Sequence, residues 1–219
     1  ASTLDARPPE PASGYHVSDV ATVVAGDDVD LVDYSPHTGG GPLHLINVCL
    51  NQTVASRARA FYRDRKGQSL TVMPGAQMRL AEQPWQPMPA DNALTLGAWT
   101  AISGAAFAPG LGTLTRSGIS ALAMFAGVRL GYWWQPYAPG SGGRRGLSLF
   151  AKSAMLVGEM LGRFRGDTGS AWYLTDGGHF ENTAAYALLR ERCRLIVLAD
   201  CGADPLYRFE DLENLVRKA

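Results

Sequence analysis

The chain has 219 residues, 46% hydrophobic and 18% charged, with 20 basic and 20 acidic residues and no net charge. A chain of this length buries roughly 70% of its extended surface around one substantial core, and the composition is that of an ordinary globular protein on the apolar side. Neutrality excludes the broad positive field of a nucleic-acid binder. Cys49, Cys193 and Cys201 lack metal-ligand spacing and read as reduced, buried thiols of a cytosolic protein. The first residues lack the basic and apolar regions of a signal peptide, so a cytoplasmic location is expected.

The proline-rich stretch 1–14 reads as a linker. His16 to Asp33 suits a short helix or strand and an acidic turn at Gly26-Asp27-Asp28. Leu43 to Leu50 reads as a buried strand, and Asn47 and Asn51 near its end either face a cleft or cap a loop. Arg57, Arg59, Arg63, Arg65 and Lys66 form a basic cluster: a solvated turn, or a contact with phosphate or a membrane surface. Ser69 to Met73 is the next strand, and Gly75 to Asn92, rich in Pro, Gln and Met, looks irregular. Ser103 to Phe107 is small and apolar, suited to close helix packing.

Ile119 to Trp134 is short for a membrane span of about 20 residues. It reads as a buried or interfacial helix with an aromatic end at Tyr132-Trp133-Trp134. Gln135 to Gly146 is a loop, and Leu147 to Phe164 has the period of an amphipathic helix. Trp172 to Thr175 is a short apolar strand that runs into Asp176, Gly177 and Gly178. A helix through Thr183 to Arg190 follows, and then a second apolar strand, Leu195 to Ala199. The last helix, from about Phe209, is expected to bury Leu212, Leu215 and Val216, which share one face.

The strand–acid–glycine–helix order sets a carboxylate where a βαβ unit meets its ligand, beyond a strand's carboxyl end. Glycines there let backbone N–H groups and a ligand approach closely. Taken from the residues alone, Asp176 reads first as a turn carboxylate that caps the following helix, since Asp and Gly are common turn residues. Asp200 and Asp204 are too few for a metal site, and no Gly-x-Gly-x-x-Gly or P-loop accompanies the turn. No cofactor is implied.

Asp176-Gly177-Gly178 resembles the Asp-Gly-Gly/Ala motif of the patatin-like lipid acyl hydrolases and the related cytosolic phospholipases. The run Tyr173 to Asn182, the segment Asp200 to Pro205 and the end Phe209 to Lys218 look like a bacterial branch of that family. So do Pro42 to Asn51 and Trp99 to Phe107. The resemblance implies an α/β fold, a three-layer sandwich around a largely parallel sheet, incomplete in this chain. It implies a Ser-Asp dyad in which Asp176 is the base, a cleft lined by Gly177, Gly178, Ser103, Gly104 and Ala105, and a phospholipid or other lipid ester as substrate, met at a membrane surface. No Gly-x-Ser-x-Gly elbow is present: Thr100, Ala101 and Ile102 precede Ser103, and Ser141 sits in Pro139-Gly140-Ser141-Gly142-Gly143. The expected nucleophile therefore lies elsewhere in the same polypeptide. The alternative is a non-catalytic lipid-binding or interaction module.

Overall fold

The computed structural model describes residues 26, 28–54, 67–89, 93–104, 131–136, 147–200, 202 and 204–219. Pro74, Gly75 and Ala76 join β2 (Gly67–Met73) to β3 (Gln77–Leu80). Three residues are far too few for the crossover that a parallel pair needs. The strands run antiparallel, from Leu70↔Leu80 to Met73↔Gln77, and the turn places Gly75 and Ala76 at φ +74° and +50°. β1 (Ile46–Asn51) pairs antiparallel with β2 on one side and with β6 (Trp172–Asp176) on the other. β4 (Gln86–Pro87) and β5 (Tyr132–Trp134) form the edges. The six-stranded order is β4-β3-β2-β1-β6-β5, curled into a half-barrel.

This overturns the expected three-layer sandwich with a largely parallel sheet. The strand expected at Leu195 to Ala199 is not formed: the segment has no regular structure, and Leu195 and Val197 are 80% and 86% exposed. Both hydrogen-bonding edges of β6 are already occupied, by β1 and β5. A parallel neighbour therefore has no slot beside the strand that ends in Asp176.

Alternation along the strands sorts the two faces of the sheet. Ile46, Val48, Leu50, Leu70, Val72, Met78, Leu80, Trp172 and Leu174 make the apolar face. It is covered by Trp99 and Ile102 of α1 (Leu96–Ser103). Trp134 meets Trp99 and Trp172 edge-on, with ring centroids 5.2 and 5.7 Å apart. The alternate positions carry buried polar groups: Asn51, Ser69, Thr71, Arg79 and Thr175. Thr71 Oγ1 donates to Asn47 Oδ1 at 2.8 Å, and Thr175 Oγ1 to Asn51 Oδ1 at 3.3 Å. Such pairing keeps a polar row tolerable in a dry place.

α3 (Ala185–Arg190) is fastened to the β3–β4 region. Glu191 accepts from Arg79 at 2.5 Å and from Trp85 Nε1 at 3.0 Å, and Arg190 donates to the Ala81 carbonyl. α2 (Leu147–Met160) brings in the buried Glu159, which accepts from Tyr173 at 3.0 Å and from Trp133 Nε1 at 3.1 Å. α4 (Glu210–Lys218) closes the described chain.

Several expectations need smaller corrections. Leu43 is exposed and β1 begins at Ile46. The irregular stretch expected at Gly75 to Asn92 contains β3 and β4. Tyr132 to Trp134 form a strand rather than a helix end. Helix α2 stops at Met160, and Phe164 instead stacks on Tyr173 at 4.5 Å. Of the three residues expected to be buried on α4, only Leu215 is; Leu212 and Val216 are exposed. Cys49 is buried but Cys193 is exposed. The linker 1–14, the basic cluster 57–66, residues 119–130, residues 137–146, Ala105 and Cys201 lie outside the described residues. Among the described residues, no helix is long and apolar enough to cross a membrane, and no three His, Cys, Asp or Glu side chains form a group suited to a metal.

Candidate functional site

Asp176 ends β6, at the strand's carboxyl end as the sequence implies. The chain then tightens into a single 3-10 turn, Gly177–His179. The Gly178 N–H donates to Asp176 Oδ1 at 2.8 Å. Phe180 and Glu181 both donate to the Gly177 carbonyl, at 2.9 and 3.0 Å. Gly177 lies so close to β1 that a Cβ there would stand 2.5 Å from the Asn47 carbonyl oxygen. A Cβ on Gly178 would meet the side chain of Asn182 at 2.7 Å. The two glycines are thus needed for different approaches, one to backbone and one to a side chain.

The opposite wall comes from α1. Its N-terminus is held by Thr95, which accepts from the Ala98 N–H at 3.2 Å, and by Asp28, which accepts from the Gly97 N–H at 2.8 Å. Hydrogen bonds from Thr95 and then from the Gly97 N–H hold the exposed Asp28 carboxyl below its ordinary value. At the other end, Ser103 Oγ donates to the Asn47 carbonyl at 2.7 Å, and the Gly104 N–H donates to the Thr100 carbonyl at 3.0 Å. β1 therefore serves both walls: one carbonyl, that of Asn47, receives Ser103 and abuts Gly177.

Between the walls lies a cavity of about 330 Å³, at the lower end of the range for small-molecule sites. Asp176, Gly177, Gly178, Ser103 and Gly104 all line it, although they come from segments more than 70 residues apart in sequence. Ala105 lies outside the described residues. The question left open for the two asparagines is settled: Asn47 lines the cavity, and Asn51 is buried in the polar row.

His44, Thr100 and Glu181 also line the cavity, and the motif reading gave them no role there. Glu181 is 4% exposed, and its carboxylate accepts from the N–H groups of Thr183 at 2.5 Å and Tyr186 at 3.1 Å. It caps α3 while facing the site. The sequence marks it only as an acid in a first turn, which is favourable anywhere. His44 Nδ1 lies 3.4 Å from the Tyr34 hydroxyl, and nothing in its apolar run singles it out.

His179 turns its Nδ1 to the Asp176 carbonyl at 3.3 Å and does not line the cavity. Asp200 accepts from the Gly202 N–H, also away from the cavity. Asp204 caps the turn before α4, accepting from the Arg208 and Phe209 N–H groups at 2.9 and 2.7 Å. Those bonds lower its pKa.

The arrangement offers two carboxylates at the cavity wall: Asp176, which accepts from the Gly178 N–H beside the Ser103–Gly104 helix end, and Glu181, engaged by the Thr183 and Tyr186 N–H groups. Such a carboxylate can accept or orient a proton. The serine on the facing wall, Ser103, donates its hydroxyl hydrogen bond to the Asn47 carbonyl at 2.7 Å. No family model, curated protein or solved structure matches this chain.

Proposed function

We propose that the chain supplies the acid half of a serine-type lipid acyl hydrolase. Asp176 takes the proton of a nucleophilic serine that lies outside this chain, in the rest of its polypeptide. Gly177, Gly178, Ser103 and Gly104 line the cleft, and the substrate is a phospholipid, a lysophospholipid or another lipid ester. Our reading sets the reaction in the cytoplasm, at a membrane surface. The supporting observation is the meeting of Asp176, its two glycines and the Ser103–Gly104 helix end on a single cavity. The ester class comes from the resemblance of these residues to the acyl hydrolase motif. It does not come from the architecture, which differs from that family's sandwich.

A second reading, a non-catalytic lipid-binding or interaction module, draws on two bonds. Asp176 already caps a turn, and Ser103 is already engaged. The two readings share one expectation for the isolated 219-residue chain: no hydrolysis of a short-chain nitrophenyl ester or of a phospholipid above background. Turnover abolished by Ser103→Ala would instead make Ser103 the nucleophile and refute both. The readings part in the intact protein, where only the hydrolase reading requires Asp176 for turnover.

A further inference from the structure

Among the described residues, the turn that carries Asp176 and the stretch after it reach β1, the start of α3 and α4. On one side is β1, whose Asn47 carbonyl leaves Gly177 no room for a side chain. On another is α4. Its Asn214 Nδ2 donates to the Phe180 carbonyl at 3.1 Å, and its Asp211 Oδ2 accepts from Asn182 Nδ2 at 2.9 Å. The Lys218 ammonium stands 4.2 Å from the centroid of the Phe180 ring, within cation–π range. These three contacts lie one helical turn or so apart along α4, and all reach the stretch Phe180 to Asn182. Asn182 in turn lies against Gly178, whose N–H holds the Asp176 carboxylate. The rest of α4 is lightly anchored: Leu215 is its one buried side chain.

We infer that α4 is a clamp on the turn that carries Asp176, and that Asn214 is a positioning residue for that site. A turn packed on one side only can shift as a unit. A second, hydrogen-bonded side holds the carboxylate within the few tenths of an ångström that proton transfer needs. The relevance of the clamp to catalysis rests on the reading of Asp176 as a base; the clamp itself does not.

Amide hydrogen exchange on the full chain tests it. In Asn214→Ala, the Gly178, Phe180 and Glu181 amides exchange about tenfold faster than in wild type, on the scale of one lost hydrogen bond. Those of Leu70 and Val72, held in the β1–β2–β3 ladders, keep their rates. Asn214→Gln, which retains an amide donor, recovers part of the protection. Val216→Ala, at an exposed position of the same helix, leaves all these rates unchanged. Unchanged rates at the turn in Asn214→Ala would overturn the inference. So would equal acceleration at Leu70 and Val72, or a failure of Asn214→Gln to recover any protection. No ester turnover enters the measurement, so the clamp and the hydrolase reading fail separately.

Discussion

At the residue scale, close approach and burial decide what each position tolerates. The Cys49 thiol is fully buried, and that burial pushes its pKa up from 9.0 to about 12, against the opposing pull of the Lys218 charge. Thiolate is the reactive form, so Cys49 is inert. Iodoacetamide at pH 8 is expected to alkylate exposed Cys193 in the native protein and to reach Cys49 only after denaturation; peptide mapping reads both sites. The paired glycines make a sharper contrast. Gly177→Ala forces a methyl against the Asn47 backbone carbonyl, with an expected cost of about 1–3 kcal/mol for overpacking. Gly178→Ala meets the end of the Asn182 side chain, which can swing aside, so its loss is expected to be smaller. Urea midpoints of the two variants give the order, and a costlier Gly178→Ala would contradict it.

At the scale of elements, α1 links local electrostatics to the cavity wall. Its start is held by Asp28, whose folded pKa is depressed. Such a group stabilises the fold above its ordinary value near 3.8. That contribution is lost as pH falls through the lower, folded value. Protection of the Gly97 amide is therefore expected to persist through the ordinary carboxylate range and to disappear below it. Asp28→Asn should remove that acid-side step. A step at or above the ordinary value would contradict the assignment.

The same elements show what was legible in the sequence. β2 and β6 were readable as short apolar runs, and α4 from the helical spacing of Leu212, Leu215 and Val216. β4, at two residues, and β5, at three aromatic ones, were not: such lengths carry no period to detect. Leu195 to Ala199 misled for the opposite reason. Its composition is that of a strand, but a strand also needs a neighbour, and β5 had taken the open side of β6.

At the scale of the whole molecule, strand direction follows from connections rather than from composition. The three-residue link after Met73 dictates an antiparallel pair locally. The antiparallel pairing of β1 with β6 joins residues some 124 positions apart, and no local signal announces it. The residues of the candidate cavity were more legible than the sheet. Asp176, Gly177, Gly178, Ser103 and Gly104, named from the resemblance, line one cavity. Glu181 and His44 were missed as site residues because their types and positions have commoner explanations.

The central claim is that Asp176 moves a proton. The direct test is Asp176→Asn, assayed for acyl hydrolysis in the longer polypeptide that the proposal requires to supply the serine. Asn keeps the shape, and its Oδ1 can still accept from the Gly178 N–H, so the fold and lipid binding should be nearly unchanged. It cannot take a proton. The account predicts a fall in kcat of about 100- to 10,000-fold, with His179→Ala, which lies off the cavity, much milder. Retention of more than about a tenth of wild-type activity, far above that general-base expectation, would contradict it and leave Asp176 as a turn residue alone.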